Sequence, residues 1–131
     1  MKKSIIISAI ALCFSTATIH AAPIINSITP NYEYTSLKVN SFCVSIAKGD
    51  LETVQKLIAR GADVNKKSNG MTPVMYAAKF NRTAILKLLI SHGANLKSKS
   101  EKKMTALKYA KLHGATDAAL IIENALSKNK K

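Results

Sequence analysis

Residues 72–93, TPVMYAAKFNRTAILKLLISHG, set the terms on which this chain can fold. The stretch opens with Thr72-Pro73 and runs through apolar residues to the small pair Ala77-Ala78. It breaks at Asn81, resumes an apolar pattern and stops at Gly93. Proline is accommodated in the first turn of a helix, where its missing N–H would be unpaired anyway, and a threonine ahead of it can cap. Asparagine and glycine tolerate the left-handed backbone that ends helices. The pattern therefore predicts two short antiparallel helices, about 73–80 and 83–92. A helical hairpin this small cannot bury both of its faces, so it requires copies of itself as neighbours.

Copies occur on both sides. Shifted back by 32 residues, Asn81 falls on Gly49, Leu86 on Val54, Leu89-Ile90 on Leu57-Ile58, and Gly93-Ala94-Asn95 on Gly61-Ala62-Asp63. Shifted forward by 33, Thr72 falls on Thr105, Ala77 on Ala110, Asn81 on Gly114 and Leu89 on Ile122. With GDLETVQKLIARGADVN, TPVMYAA, LLISHGANL and TALKYA recurring in phase, the sequence resembles the ankyrin repeat family over roughly residues 36–126. The resemblance implies an all-α solenoid of three helix–turn–helix units, about 36–65, 66–98 and 99–127, joined by hairpin loops near 66–71 and 97–104. In unit one, Leu37, Val39, Phe42, Cys43 and Ile46 give a helical stripe that Thr35-Ser36 can cap. Residues 127–131 read as a short, frayed basic tail.

The departures from the family are informative. Its TPLH motif carries a histidine that hydrogen-bonds the threonine hydroxyl, whereas Met75 and Lys108 stand at that position here. Unit one has Asn40-Ser41-Phe42-Cys43 in place of the motif, and Lys103 occupies a usual hairpin glycine position. Ala125-Leu126 replaces Gly-Ala, and Glu123 replaces the apolar Ile58 and Ile90, as suits a terminal unit with a polar outer face.

The beginning of the chain reads differently. Lys2-Lys3, an apolar run at 5–14 and the small residues Ala21-Ala22 make a secretory signal peptide of residues 1–21. Residues 22–35, with Pro23 and Pro30, read as an extended lead-in. Cleavage removes Cys13 and leaves Cys43 alone, so no internal disulfide can form. Cys43 reads as a small buried hydrophobe, with a reactive or intermolecular thiol as the alternative. Removing Lys2 and Lys3 leaves 18 basic against 7 acidic residues, a net charge of +11.

Chemistry is sparse. His92 and His113 each precede a helix-ending glycine and are not joined by ligands at metal spacing. Asp50, Glu52, Asp63, Glu101, Asp117 and Glu123 form no acid–base pair, and no phosphate loop, nucleophile elbow or HExxH occurs. The chain reads as a non-enzyme without catalytic residues, cofactor or metal.

The resemblance implies a protein-binding module acting as a monomer. It places partner contacts at the hairpin tips and the concave side of the first helices. Those positions are Lys48 in unit one, and Ser68, Asn69, Met71, Lys79 and Phe80 in unit two. In unit three they are Glu101, Lys102, Met104, Leu112 and His113. Lys66, Lys67, Lys97, Lys99, Lys102 and Lys103 add a basic ridge, which suits an acidic protein surface. The reading is a periplasmic or secreted binder, an immunity or accessory protein. Peripheral binding of anionic envelope material is the alternative. Nucleic acid fits the charge but not the compartment. N-terminal sequencing of the envelope fraction is expected to find Ala22 or Pro23 first. Intact Met1 in a soluble cytoplasmic pool would overturn the export reading.

Overall fold

Asn40, Asp50 and Thr105 each accept an unpaired N–H in the first turn of a helix, and Pro73 removes one from another. The computed structural model describes residues 39–130. The expected signal, the lead-in and the Thr35-Ser36 cap lie outside the described residues. Six helices follow in order: α1 (Ser41–Lys48), α2 (Leu51–Ala59), α3 (Pro73–Lys79), α4 (Thr83–Ser91), α5 (Ala106–Leu112) and α6 (Thr116–Lys128). No strand occurs among the described residues; the first hairpin holds one antiparallel bridge, Ser68 with Met71.

The start of α1 corrects the sequence reading. Asn40 is its N-cap, and Asn40 Oδ1 accepts the Cys43 N–H at 2.9 Å. Asn40 stands 32 residues before Thr72 and does the work of the threonine caps. Its own N–H donates to Ser68 Oγ at 2.8 Å, which holds the residue extended. Val39 therefore precedes the helix and packs on the core from outside it. The other end differs too. With Ala125-Leu126 in place of Gly-Ala, α6 continues to Lys128, and residues 127 and 128 are helical rather than a frayed tail.

The helix pairs turn at equivalent points. Gly49, Asn81 and Gly114 have φ of 82°, 53° and 66°, the left-handed conformation expected from the sequence. Asn81 is the one with a side chain there, and it is engaged: its Oδ1 accepts the Ala118 N–H at 3.1 Å, at the start of α6. The next residue, Arg82, reaches the opposite way. Its Nε and Nη2 donate to the Ala47 carbonyl at 2.9 and 2.8 Å. One turn thus ties the middle unit to both neighbours.

Packing follows two layers. The first helices stack as α1–α3–α5 and the second helices as α2–α4–α6, each pair also packing within its unit. Ile46, Val54, Val74, Met75, Ile85, Leu86, Leu89 and Ile122 are fully buried between them. Ala77, Ala78, Ala110 and Ala118 have no exposed surface, and their small side chains let neighbouring helices approach closely. Unit three shows how the stack ends. Lys108 stands where unit two has the buried Met75, and Lys111 where it has Ala78; both lysines are exposed. Lys111 pairs with Glu123 at 2.7 Å. A further unit packed on this face would have to bury those charges.

The period changes from 32 to 33 inside the second hairpin. Ser68 and Ser100 are 32 apart, while Met71 and Met104 are 33 apart. The first hairpin turns through Asn69 (φ 49°) and Gly70 (φ 73°), a two-residue turn. The second needs three residues, Glu101 to Lys103, and Lys103 takes the left-handed place with φ 57°. Ser100 N–H donates to the Met104 carbonyl at 2.9 Å across it.

The missing motif histidine has a visible consequence. Thr72 is 1 % exposed, and its hydroxyl is turned toward the Met75 N–H in capping-box fashion without making a full hydrogen bond, since that N–H is bonded to the Thr72 carbonyl at 3.0 Å. Met75 offers only its sulfur, which accepts the Thr72 N–H at 3.4 Å. A buried hydroxyl without a partner costs stability, so the isosteric Thr72→Val is expected to change the urea midpoint little, within about 1 kcal/mol. Leu89→Ala, which empties a core site, should cost roughly 2–5 kcal/mol. A comparable loss in both variants would mean that the Thr72 hydroxyl is bonded after all.

Candidate partner-binding face

The two hairpins are each fixed from below by a tyrosine bonded to a serine, through its carbonyl in the first and its hydroxyl in the second. Tyr76 Oη donates to the Ser68 carbonyl at 2.9 Å, and Tyr109 Oη bonds Ser100 Oγ at 3.1 Å. Each tyrosine lies on a first helix and each serine at the base of the hairpin before it. Glu101 N–H donates to the Gly70 carbonyl at 3.0 Å, joining the two hairpins. The base of each hairpin is therefore held by hydrogen bonds within the protein.

Between the hairpins and the ends of α3 and α5 lies a groove of about 490 Å³. Met71, Met104 and Leu112 give it apolar surface, and Lys79, Lys102 and His113 surround that surface with positive or ionisable groups. Asn69 and Glu101 complete the hairpin walls. Eight positions proposed from the sequence thus come together. Leu112 is 66 % exposed, an unusual position for a leucine on a lysine-rich surface. The His113 ring stacks on Tyr109, with centroids 6.5 Å apart and planes 11° from parallel.

Three positions fall elsewhere. Ser68 is buried, so its assignment to the contact surface is corrected: it anchors the hairpin by accepting the Asn40 N–H. Lys48 is exposed at the end of α1 and does not line the groove. Phe80 is 41 % exposed beside the groove, with the Lys79 ammonium 5.3 Å from its ring centroid. Gly70, Ser100 and Tyr109 line the groove but were not identified from the sequence. The recurrence of Ser68 and Tyr76 as Ser100 and Tyr109 was the available signal. A second, larger groove of about 670 Å³ runs between α4 and α6, bounded by Lys87, Ile90, Leu96, Ile121 and Lys128. It was also not anticipated. Among the described residues, no group of three His, Cys, Asp or Glu could hold a metal ion.

Cys43 lies beneath the first hairpin, fully buried, in the core and hydrogen-bonded to Ser68. Burial pushes its thiol pKa up from 9.0 to about 11, against a smaller lowering by Ser68. An unfolded chain loses this proton near pH 9, whereas the folded one retains it. Stability present below pH 9 is therefore lost as the pH rises from about 9 to about 11. Tyr76, raised by burial first and then by Cys43 and Tyr109, acts in the same direction. Cys43→Ala is expected to flatten the fall of the denaturation midpoint across that window. An unchanged slope would exclude the thiol as its source.

Comparison with known proteins gives a consistent answer. A family model described as ankyrin repeats (3 copies) matches residues 42–131. Human "ankyrin repeat, SAM and basic leucine zipper domain-containing protein 1" is 38% identical over 94 residues, which cover 70% of this chain and 20% of that protein. The Neofelis nebulosa protein of the same name is 37% identical over 94 residues, with the same coverage. The chain thus spans about a fifth of the length of these curated relatives. Among solved structures, a match has 33% identity and a TM-score of 0.63, covering 66% of this chain and 46% of that one. It comes from the complex of a predatory endopeptidase from Bdellovibrio bacteriovorus with an immunity protein. With three in-phase helix pairs, a charged terminal unit and a family match over most of its length, this chain belongs to the ankyrin repeat family, whose repeats are protein–protein interaction modules.

Proposed function

We propose that this protein is an exported, non-enzymatic binder that masks a protein partner in the cell envelope, in the manner of an immunity protein. The observation that carries the reading is the groove between the two hairpins, where Met71, Met104 and Leu112 lie beside Lys79 and Lys102. An apolar centre within a charged rim is the anatomy of a protein interface. The likeness to a chain from an endopeptidase–immunity protein complex supports the immunity role. The signal-like residues 1–21 support export. The charged end of unit three supports a monomer, since a second copy packed there would have to bury Lys108 and Lys111.

A second reading rests on the lysines themselves. Lys66, Lys67, Lys97, Lys99, Lys102 and Lys103 are all exposed, and the two ion pairs among the described residues use none of them. Such a cluster would also hold a peripheral protein against anionic lipid headgroups. Salt-sensitive co-sedimentation with anionic vesicles, in the absence of any protein partner, is the result that favours this reading.

The protein reading is tested with a partner recovered by affinity capture from periplasmic extract and re-purified. Phe80→Ala should weaken binding by more than about 1 kcal/mol while leaving the melting temperature nearly unchanged, because the ring is half exposed. Charge reversal at Lys102 and Lys103 should mainly slow association, with the larger effect at low salt. Partner affinity indifferent to all three substitutions would overturn the assignment of this face.

A further inference from the structure

The chemistry of the groove restricts what can occupy it. Its deep polar groups are already engaged: Tyr109 Oη is bonded to Ser100 Oγ, which also accepts the Met104 N–H at 3.2 Å. The apolar surface open to an occupant is that of Met71, Met104 and Leu112. A polar side chain inserted there would lose water without gaining a partner. Around the opening the balance is reversed. Lys79 and Lys102 share the lining with one carboxylate, Glu101, and neither lysine takes part in an ion pair among the described residues. Glu101 is drawn to the opposite wall: a Cβ added at Gly70 would come within 2.6 Å of its carboxylate. The groove has a volume of about 490 Å³ and is open to solvent along one side, room for a protruding segment of a partner.

We propose that the groove receives a protruding loop of the partner protein in which a bulky apolar residue stands next to an aspartate or glutamate. The apolar side chain enters between Met71, Met104 and Leu112. The carboxylate stays at the rim and pairs with Lys102, with Lys79 beside it. This inference rests on the protein-binding reading above and adds the chemistry of the occupant.

The test uses a random dodecapeptide library displayed on phage, selected on the purified protein and counter-selected on Leu112→Asp. Leu112 is exposed, so that substitution blocks the groove without emptying the core; circular dichroism checks that the variant is folded. Synthetic peptides from the selection are then measured by fluorescence anisotropy. The expected result is peptides that pair an acidic residue with a large apolar one, whose binding Leu112→Asp abolishes. Lys102→Gln should weaken them at least tenfold. Replacing the peptide's acid by its amide should do the same, and the two changes together should cost little more than one alone. Groove-dependent peptides that lack an acid, or that ignore Lys102→Gln, would overturn the proposed occupant while leaving the binding face in place. A selection that yields no peptide dependent on Leu112 would overturn the groove as a binding site, and the face with it.

Discussion

No helix pair in this chain can be stable alone, and the rest of the structure depends on that constraint. α3 has seven residues, of which Pro73 to Ala78 are all buried. Burial that complete needs α1 on one side, α5 on the other and α4 alongside. Hydrophobic contact is non-directional, however, and would not by itself fix how units sit on one another. Direction comes from the polar bonds at the joints. Arg82 reaches back to the Ala47 carbonyl, and Asn81 reaches forward to the Ala118 N–H. Farther out, Asn65 Nδ2 donates to the Gly93 carbonyl at 3.2 Å, and Asn65 Oδ1 accepts the Asn95 N–H at 2.8 Å. Each bond satisfies a backbone group that a helix end or loop leaves unpaired.

What the sequence revealed, and what it did not, follows from this division. Apolar spacing and the left-handed positions Gly49, Asn81 and Gly114 are local properties, so the helices and turns of the middle unit were legible to within a residue. The start of α1 was less legible because its cap is shared: Asn40 is held extended by Ser68, 28 residues away. The length of α6 turned on a missing glycine rather than on any residue present. In the binding face, exposure could be read where the family pattern left an apolar residue unaccounted for, as at Leu112. Ser68 was misjudged for the opposite reason. A serine at a hairpin suggests solvent, and the inward direction of its hydroxyl is set by Asn40 and Cys43, which belong to the unit before it.

The same bonds make the groove a fixed shape. A loop surface that orders only on binding loses affinity to conformational entropy. Here the hairpins are seated on Tyr76 and Tyr109 and joined to each other through Glu101 and Gly70. The stack that stabilises the fold thus also holds the apolar surface of Met71 and Met104 beside the lysines. The hydrogen bonds that stabilise the hairpins therefore also position the proposed contact surface.

Lys103 shows where the two demands separate. Its φ of 57° is a conformation that glycine adopts without strain and that costs other residues roughly 1–2 kcal/mol. For a three-unit stack, with a small surplus over chain entropy, that is a considerable fraction of the total. Asn81 shares the left-handed conformation, which asparagine tolerates better than lysine, and its side chain caps α6 in return. Lys103 has no compensating contact of this kind: its side chain is exposed and takes part in neither ion pair of the described residues. A sequence selected for stability alone would place glycine there. A lysine at that point places a positive charge on the hairpin next to the groove at that cost in stability.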